Sequence, residues 1–334
     1  MGDRESAEYV IPLRWSTDTG LAEMTSYLRE LTTWIDVTVM DGSDETQFRA
    51  HADAWLGIVR HLPVDRSGAG NGKVYGVLAG VAAARHEHII LADDDVRYDR
   101  SAATAVICAL RDADLVTPQN YFSPAPWHAR WDTGRSLLNR ALGADYPGTY
   151  GLRRSTFIDM GGYDPDVLFE NLELERTVRT NGGRIAHRPD IYVARRPPSA
   201  RHFRSQRVRQ AYDSWAQPAR LLAEAAILPL VLWSLRKRMR GIALFGTILV
   251  IAERGRRRSN GHTVFPRSAP WWAPLWVLER GVTIWVALVL RLRGGVRYGD
   301  SRLKRAAHSE AQLRSAIRRG VRPQFAASAH LSRR

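Results

Sequence analysis

The first 194 residues alternate between two hydrophobic patterns. Short runs rich in apolar and β-branched side chains lie at 9–13, 35–40, 57–64, 87–92 and 114–117. Stretches with apolar residues at helical spacing lie at 21–31, 45–56, 73–84, 101–111 and 172–181. The short runs are typical of buried strands, and the longer spacing is typical of amphipathic helices. Strands that alternate with helices predict an α/β fold with a mostly parallel sheet and flanking helices.

Residues 118–154 interrupt this alternation and show no regular period. The segment carries the aromatic side chains of Tyr121, Phe122, Trp127, Trp131, Tyr146 and Tyr150. An irregular stretch inside a compact domain is often functional, so we expect this segment to border a site.

The character of the chain changes after residue 195. Apolar segments at 221–235, 241–252 and 271–292 are separated by clusters of arginine. None is an uninterrupted span of about 20 apolar residues, and arginine at both ends of the second fits poorly with the positive-inside rule. We therefore predict membrane-associated helices that lie in or re-enter the cytoplasmic leaflet, with arginine on lipid phosphates and tryptophan at the interface. A buried helical subdomain is the alternative.

Charge is distributed just as unevenly. Residues 195–334 contain 29 of the 49 basic side chains and 6 of the 34 acidic ones, a net charge of +23, whereas residues 1–194 carry a net charge of −8. This division predicts an acidic catalytic half joined to a basic half that meets polyanions. The basic half lacks zinc-finger spacings and RNP-like aromatic motifs, so we expect an anionic membrane surface as its partner and no nucleic acid.

Cysteine content and the N-terminus indicate the compartment. Cys108 is the only cysteine, which excludes an internal disulfide and fits a reducing compartment. The polar residues 1–6 do not have the apolar core of a signal peptide. We therefore expect the chain to work at the cytoplasmic face of the cell membrane.

The strand-like run at 87–92 ends in three consecutive carboxylates, Asp93, Asp94 and Asp95. The carboxyl edge of a parallel sheet is where α/β folds bind ligands. Two carboxylates one residue apart can bind one divalent cation, and that cation can hold a diphosphate. An acidic turn or a helix cap is the alternative for these three residues.

Four short motifs follow one another along the first hundred residues. They are Val10-Ile11-Pro12, Asp41-Gly42-Ser43-Asp44, Asn71-Gly72-Lys73 and Asp93-Asp94-Asp95. In order and approximate spacing they resemble those of family 2 glycosyltransferases, over roughly residues 8–215. The later apolar segments resemble those of membrane-bound relatives, including ceramide-glucosyltransferase-like enzymes. The resemblance implies a GT-A fold, in which a nucleotide-binding α/β sheet is fused to an acceptor region.

The resemblance also implies roles on the nucleotide side of the site. Pro12 would line the nucleotide pocket, and Asp41 would accept a hydrogen bond from the base. Lys73 would place a cation near the nucleotide. Without the resemblance, Asp41 is equally a turn former before glycine, and Lys73 is a solvated lysine in the first turn of a helix.

Asp93 and Asp95 match the two acids of the family's D-x-D motif. The resemblance implies that Asp95 ligates Mg²⁺ or Mn²⁺ between the two phosphates. Asp93 would face the ribose, the donor sugar or the metal, and Asp94 would support the turn. A metal in this place neutralises the departing nucleoside diphosphate.

The general base is predicted within Phe169-Glu170-Asn171-Leu172-Glu173. Relatives commonly carry Glu-Asp where this chain has Glu170-Asn171, and an amide cannot accept a proton in that role. We therefore expect Glu170 to be the base, with Glu173 as second choice. The alternative is that both are acids favoured by the helix dipole at a helix N-terminus.

Further candidates lie in the aromatic segment and beyond residue 200. Gln206-Arg207-Val208-Arg209-Gln210 resembles the family's Q-x-x-R-W motif, with Gln210 in place of tryptophan. Arg209 would bind the diphosphate, and Gln206 would lie toward the acceptor. Trp131 and Tyr150 are expected on the acceptor side, because aromatic rings offer an apolar face to a sugar or a lipid. Core packing is the alternative for these rings, and a basic helix on lipid headgroups is the alternative for the arginines.

Together these features predict a GT-A domain at 1–215, membrane-associated helices at 216–300 and a basic tail at 301–334. The predicted function is an inverting, metal-dependent hexosyltransferase that moves a sugar from a nucleotide-sugar donor, expected to be UDP-linked, to a lipid or membrane-held acceptor. Two alternatives stay open: a nucleotidyltransferase that makes a sugar nucleotide, and a non-enzymatic basic binder of membranes or nucleic acids.

Overall fold

A computed structural model describes residues 4–64, 71–293, 296–298, 301–303 and 305–320. The chain forms two compact units. The first comprises residues 1–118, 147–193 and 308–334, and the second comprises residues 119–146 and 194–307. Residues 68–70 of the glycine-rich loop and residues 321–334 of the basic tail lie outside the described residues. The domain boundaries given above stay a prediction.

Twelve α-helices and ten strands occur in the part of the chain that is described. The helices are α1 Leu21–Leu31, α2 Glu45–Trp55, α3 Gly72–Ala83, α4 Arg100–Ala109, α5 Trp127–Leu142, α6 Arg154–Asp159, α7 Glu170–Thr180, α8 Ala200–Tyr212, α9 Pro218–Leu235, α10 Arg238–Arg257, α11 Ala273–Leu292 and α12 Glu310–Arg318. The strands are β1 Ala7–Leu13, β2 Asp36–Asp41, β3 Arg60–Pro63, β4 His88–Ala92, β5 Val96–Arg97, β6 Leu115–Phe122, β7 Thr149–Arg153, β8 Ile185–Arg195, β9 Val296–Tyr298 and β10 Ser301–Leu303.

The main sheet has eight strands in the order β3-β2-β1-β4-β7-β6-β8-β5. Strand β1 lies between β2 and β4 and is parallel to both, and β3 is parallel to β2. Strand β7 is antiparallel to both β4 and β6. In register, Leu13 pairs with Asp41, and Val10 pairs with both Thr38 and Leu91. The carboxyl ends of β1, β2 and β4 therefore lie at one edge of the sheet.

Local sequence signals explain how the helices are placed against this sheet. Asp44, Asn71 and Asp99 precede α2, α3 and α4, and each side chain accepts a hydrogen bond from the first turn of its helix. Alternate residues of β1 enter different cores: Tyr9 belongs to the cluster on one face, and Val10 belongs to the cluster on the other. Period-two burial of this kind is expected of a strand covered on both faces.

The structure confirms the α/β class, the mostly parallel sheet with its flanking helices and the additional helices beyond residue 200. Helix α1 has the predicted bounds, and the other predicted helices and strands up to residue 117 differ by a few residues at their ends. The prediction of an irregular segment at 118–154 is wrong, because it contains α5 and β7 and the continuation of β6. Helix α5 buries His128, Asp132 and Arg140 beside its apolar residues, and this weakens the hydrophobic period.

Two stretches of the second unit, Pro218–Leu235 and Ala269–Leu292, are long and apolar enough to cross a membrane by length and composition. Both stretches begin before the apolar windows read from the sequence, and both contain charged residues, so neither is an uninterrupted apolar span. Many of their large apolar side chains are exposed: Leu222, for example, is 72% exposed and Leu292 is 87% exposed. The in-plane arrangement of these helices stays a prediction.

Within the second unit, α5 and α10 cross at close range. The buried guanidinium of Arg140 donates to the carbonyl oxygen of Gly255 at 3.0 Å and to Oε1 of Gln119 at 2.9 Å. A Cβ atom added to Gly255 would overlap the carbonyl oxygen of Leu137, so only glycine fits at this crossing. Gly246 lies on the same helix, and a Cβ atom added there would have no other atom within 4 Å.

We therefore expect Gly255→Ala to lower the free energy of unfolding by at least about 2 kcal/mol, because two helix backbones must separate to admit the methyl group. Gly246→Ala is the matched control and should be neutral or stabilising by up to about 1 kcal/mol, since alanine is the better helix former. Thermal or urea unfolding of both variants measures this. Equal effects for the two variants would contradict the close approach of α5 and α10.

Candidate functional site

Polar side chains from several elements of the first unit gather at the carboxyl edge of β1, β2 and β4. The turn after β4 is closed by the Val96 N–H, which donates to the carbonyl oxygen of Asp93 at 3.0 Å. The Asp93 N–H donates to the carbonyl oxygen of Gly148, just before β7. The indole N–H of Trp15, two residues beyond β1, donates to Oδ2 of Asp94. The carboxylate turn is thus fixed by both neighbouring strands of β4.

Lys73 connects this turn to the start of α7. Its Nζ is 2.6 Å from Oδ1 of Asp93 and 3.0 Å from Oε1 of Glu170. All three side chains are partly accessible, with 17–26% of each exposed. Burial alone would lower the pKa of Lys73, but the two carboxylates outweigh it and hold that pKa well above its usual range. The three predicted residues therefore form one charged group, with the lysine ionised between two carboxylates.

Helix α3 places Lys73 because it packs tightly on β1. A Cβ atom added to Gly76 would lie 2.9 Å from Cβ of Pro12, so α3 approaches the strand as closely as glycine allows. Asn71 is fully buried and caps the helix by accepting from the Lys73 N–H at 3.1 Å. Pro12 is partly buried under this helix, and its role in lining a nucleotide pocket stays a prediction.

Asp41 is held at the end of β2 by three donors. Its Oδ1 accepts from the Ser43 N–H at 2.7 Å, and its Oδ2 lies 2.6 Å from Nδ1 of His51 and 3.0 Å from Nε2 of His61. Burial would raise the pKa of this carboxyl group, but the hydrogen bonds from His61, Ser43 and His51 hold it well below its usual range. The carboxylate is fully buried, so a nucleotide base would have to share an acceptor that already has donors.

The two candidate bases on α7 have different surroundings. Glu170 begins the helix and faces Lys73, whereas the side chain of Glu173 is fully buried. The oxygens of Glu173 accept from the backbone N–H of His308 at 2.7 Å and lie 2.8 Å from Nδ1 of the same residue. Asn171 donates to the carbonyl oxygen of Pro147 at 3.0 Å. Burial and engagement by His308 favour a structural role for Glu173 and leave Glu170 as the base candidate open to solvent.

Tyr150 lies in the core of the first unit. Its side chain is buried among the residues that pack against α3 and α7, and its hydroxyl group donates to Oε1 of Glu175 at 3.4 Å. Burial raises the pKa of Glu175 to about 7. This environment suits the core-packing alternative for Tyr150 better than contact with an acceptor.

Three predicted residues, Trp131, Gln206 and Arg209, belong to the second unit. The Trp131 ring packs against Trp127 and Phe203, with centroid distances of 6.3 and 6.0 Å. Gln206 lies on α8 beside His202, one turn earlier. Arg209 is partly buried on the same helix. Arg207, which lies between Gln206 and Arg209 on α8, is buried, and it donates to Oδ1 of Asp132 at 3.1 Å.

Several residues at this edge were not predicted from the sequence. Trp15, His51 and His61 contact the predicted carboxylates directly, and His308 does so from the segment expected to be a basic tail. His51 and His61 have little or no exposed side-chain surface, and no motif in the sequence marks them. His308 has no local signal either, because its partner is 135 residues away.

The donor set of the turn after β4 suits a hard divalent cation. Asp93 and Asp95 supply carboxylate oxygens one residue apart, and oxygen ligands are what Mg²⁺ and Mn²⁺ prefer. Lys73 already neutralises part of the charge on Asp93. The residues present therefore fit the cation implied by the D-x-D motif, with Asp95 and Asp93 as its ligands.

No protein-family model matches this sequence, and no curated protein matches it. Among solved structures, the chain resembles the mannosyltransferase PcManGT from Pyrobaculum calidifontis in complex with GDP-Man and Mn²⁺, with 16% identity and a TM-score of 0.47, over 88% of this chain and 77% of that one. It also resembles the crystal structure of a mycobacterial protein, with 14% identity and a TM-score of 0.42, over 61% and 72% of the two chains. Neither likeness is close enough to assign a family.

The raised pKa of Glu175 has a consequence for stability. The folded chain keeps the proton to about pH 7, whereas the unfolded chain releases it near 4.5, so stability is lost as pH rises between these values. We expect Glu175→Gln to gain about 3 kcal/mol relative to wild type between about pH 5 and pH 8, since one pKa unit is worth about 1.4 kcal/mol. Urea unfolding at both pH values measures this, with exposed Glu30→Gln as control. A pH-independent difference would contradict a protonated Glu175.

Proposed function

We propose that this chain is a metal-dependent glycosyltransferase that moves a sugar from a nucleotide-sugar donor to an acceptor hydroxyl group. The observation that carries the proposal is the group formed by Asp93, Lys73 and Glu170. It joins a carboxylate turn suited to a diphosphate-bound cation with a second carboxylate suited to take a proton. Donor-side and acceptor-side chemistry thus meet at one edge of the sheet. A non-enzymatic binder has no need of this arrangement.

The proposed reaction is an inverting displacement. The Glu170 carboxylate takes the proton of the acceptor hydroxyl group while the acceptor oxygen forms a bond to the anomeric carbon. The bond between that carbon and the diphosphate oxygen breaks on the opposite side, and the electron pair leaves with the nucleoside diphosphate. Lys73 orients Glu170 and keeps a positive charge beside the carboxylate turn. A divalent cation held by Asp95 and Asp93 would neutralise the leaving diphosphate.

Glu170 is the proposed base because of its place on α7. It is the first residue of the helix and is partly open to solvent, whereas Glu173, one turn later, is buried against His308. A general base must reach the acceptor proton directly or through one water molecule. A partly exposed carboxylate at the sheet edge meets that requirement.

The proposed acceptor is held at a membrane, and a UDP-linked donor is the expected substrate. Support for the membrane-held acceptor comes from the junction of α9 and α10 in the second unit. Arg236, Lys237 and Arg238 are exposed there, next to Leu235 and Met239, which are 70% and 73% exposed. A combination of cations and apolar side chains suits an anionic lipid surface. We therefore propose that the enzyme works at the cytoplasmic face of the cell membrane.

The transferase proposal is tested with purified protein in detergent, Mn²⁺ or Mg²⁺, and a panel of UDP-, GDP- and TDP-sugars. We expect one donor to bind and to be turned over only with metal. Asp95→Asn should lower turnover on the order of 1,000-fold and weaken metal-dependent donor binding. Glu170→Gln should keep donor binding but lower kcat by about 100-fold to 10,000-fold, because only proton removal is lost.

Asp112→Asn is the matched control, since it removes an exposed carboxylate elsewhere in the first unit. It should leave both donor binding and turnover unchanged. Metal-independent donor binding, or full turnover by Asp95→Asn, would overturn the metal-dependent mechanism. Net formation of a sugar nucleotide from a sugar phosphate would favour the nucleotidyltransferase alternative.

Membrane binding is tested separately with lipid vesicles. Replacing Arg236, Lys237 and Arg238 together by serine should weaken binding to vesicles that contain anionic lipid on the order of 100-fold, since each basic side chain contributes about 1 kcal/mol near such a surface. Co-sedimentation at two salt concentrations measures this. The control replaces Arg29, Arg49 and Arg111, which are exposed in the first unit, and should bind like wild type. Equal loss in both triple variants would contradict a specific lipid-facing surface.

A further inference from the structure

A second group of ligand atoms lies at the ends of β2 and β3, on residues to which the proposed reaction assigns no metal. One ligand atom from each of Asp41, His51 and His61 lies within 4.8 Å of the other two, and Oδ2 of Asp41 is 2.6 Å from Nδ1 of His51 and 3.0 Å from Nε2 of His61. The Asp41 and His51 side chains are fully buried, and 8% of the His61 side chain is exposed. All three belong to the first unit. They join the end of β2 to the middle of α2 and to β3.

The hydrogen-bond geometry of His51 calls for a cation. Its Nε2 lies 3.2 Å from Oδ1 of Asp18, and its Nδ1 lies 2.6 Å from Oδ2 of Asp41. A neutral imidazole has one N–H group and one lone pair. Whichever nitrogen carries the N–H group, the lone pair of the other faces a carboxylate oxygen, which is repulsive unless a proton or a metal ion lies between them. His61 directs a second ring nitrogen at the same oxygen.

We propose that Asp41, His51 and His61 form a zinc site. Two imidazole nitrogens and one carboxylate oxygen are a ligand set that suits Zn²⁺, whereas Mg²⁺ prefers oxygen ligands alone. Three protein ligands leave one position of a tetrahedron for water. Metal binding would open the 2.6 Å separation between Nδ1 and Oδ2 to about 3.3 Å, because ligands about 2.0 Å from a tetrahedral zinc ion lie that far apart.

The surroundings of the cluster match those of a metal site. Asp18 would be the outer carboxylate that orients His51 and fixes its tautomer, an arrangement common around zinc-bound histidine. Aromatic rings enclose the ligands. Trp55 stacks on His51 at a centroid distance of 4.8 Å, and Phe48 stacks on His61 at 4.5 Å. A dry aromatic wall strengthens the attraction between the ion and its ligands.

A proton in place of the metal is the competing arrangement. In that case His51 carries a positive charge between Asp18 and Asp41, and His61 donates to Asp41 as a neutral imidazole. Both arrangements stabilise the end of β2, but only the metal-bound one contains a metal ion whose amount per chain can be measured. Metal content therefore distinguishes them without reference to catalysis.

The test measures zinc in the full chain, expressed without an affinity tag, after incubation with Zn²⁺ and removal of the excess. We expect about one zinc ion per chain in wild type, and X-ray absorption at the zinc edge should show imidazole among the ligands. His51→Gln and His61→Gln should each lower zinc affinity by at least about tenfold. A chelator should lower the Tm of wild type and leave that of the two variants unchanged.

Two controls separate this site from other histidines and from the carboxylate turn. His86→Gln removes a partly exposed histidine whose Nε2 lies 2.7 Å from Oδ2 of Asp36, and Asp95→Asn alters the proposed magnesium or manganese site. Both should keep the zinc content of wild type. Wild-type protein that retains no zinc overturns the proposal, as do His51→Gln and His61→Gln proteins that retain as much as wild type. If these two variants do not fold, a wild-type zinc spectrum without imidazole ligands overturns it.

Discussion

The parallel register of β1 between β2 and β4 brings the carboxylates of Asp41 and of the turn after β4 to one edge of the sheet. Leu13 pairs with Asp41, and β4 runs in the same direction, so the chain leaves all three strands at the same edge of the sheet. Because side chains alternate across a strand, a slip of one residue in β2 would turn the Asp41 carboxylate to the opposite face. The two cores on either face of β1 oppose such a slip, since it would expose their apolar residues.

Charges at this edge are compensated by partners that are distant in sequence. Lys73 lies between Asp93, 20 residues later in the chain, and Glu170, 97 residues later. A buried or half-buried carboxylate without a partner is costly, so each pairing constrains the position of the helix or turn that supplies it. Such fixed charges need little rearrangement when a charged substrate arrives, which is the physical basis of electrostatic preorganisation.

Sequence reasoning predicted the fold class and the strands and helices of residues 7–117 other than β5, because hydrophobic periods determine them. Lys73, Asp93 and Glu170 were named through the resemblance of their motifs, and the structure brings their side chains together, whereas their roles stay a prediction. Sequence reasoning failed where polar residues are buried. Helix α5 was missed because Asp132 and Arg140 interrupt its apolar stripe, and the donors to Asp41 were missed because histidines on a buried face carry no motif. His308 was missed because contact with Glu173 depends on the return of a distant segment to α7, which no local pattern records.

The pairing of Glu173 with His308 also bears on the order in which the chain acquires its structure during synthesis. A ribosome delivers residues in sequence, so α7 emerges long before the backbone N–H that its buried carboxylate requires. Until then, the side chain of Glu173 lacks this partner, and burying an unpaired carboxylate is costly. Residues 194–307 of the second unit are translated in that interval. The sheet-bearing unit is therefore completed last, although most of its residues are made first.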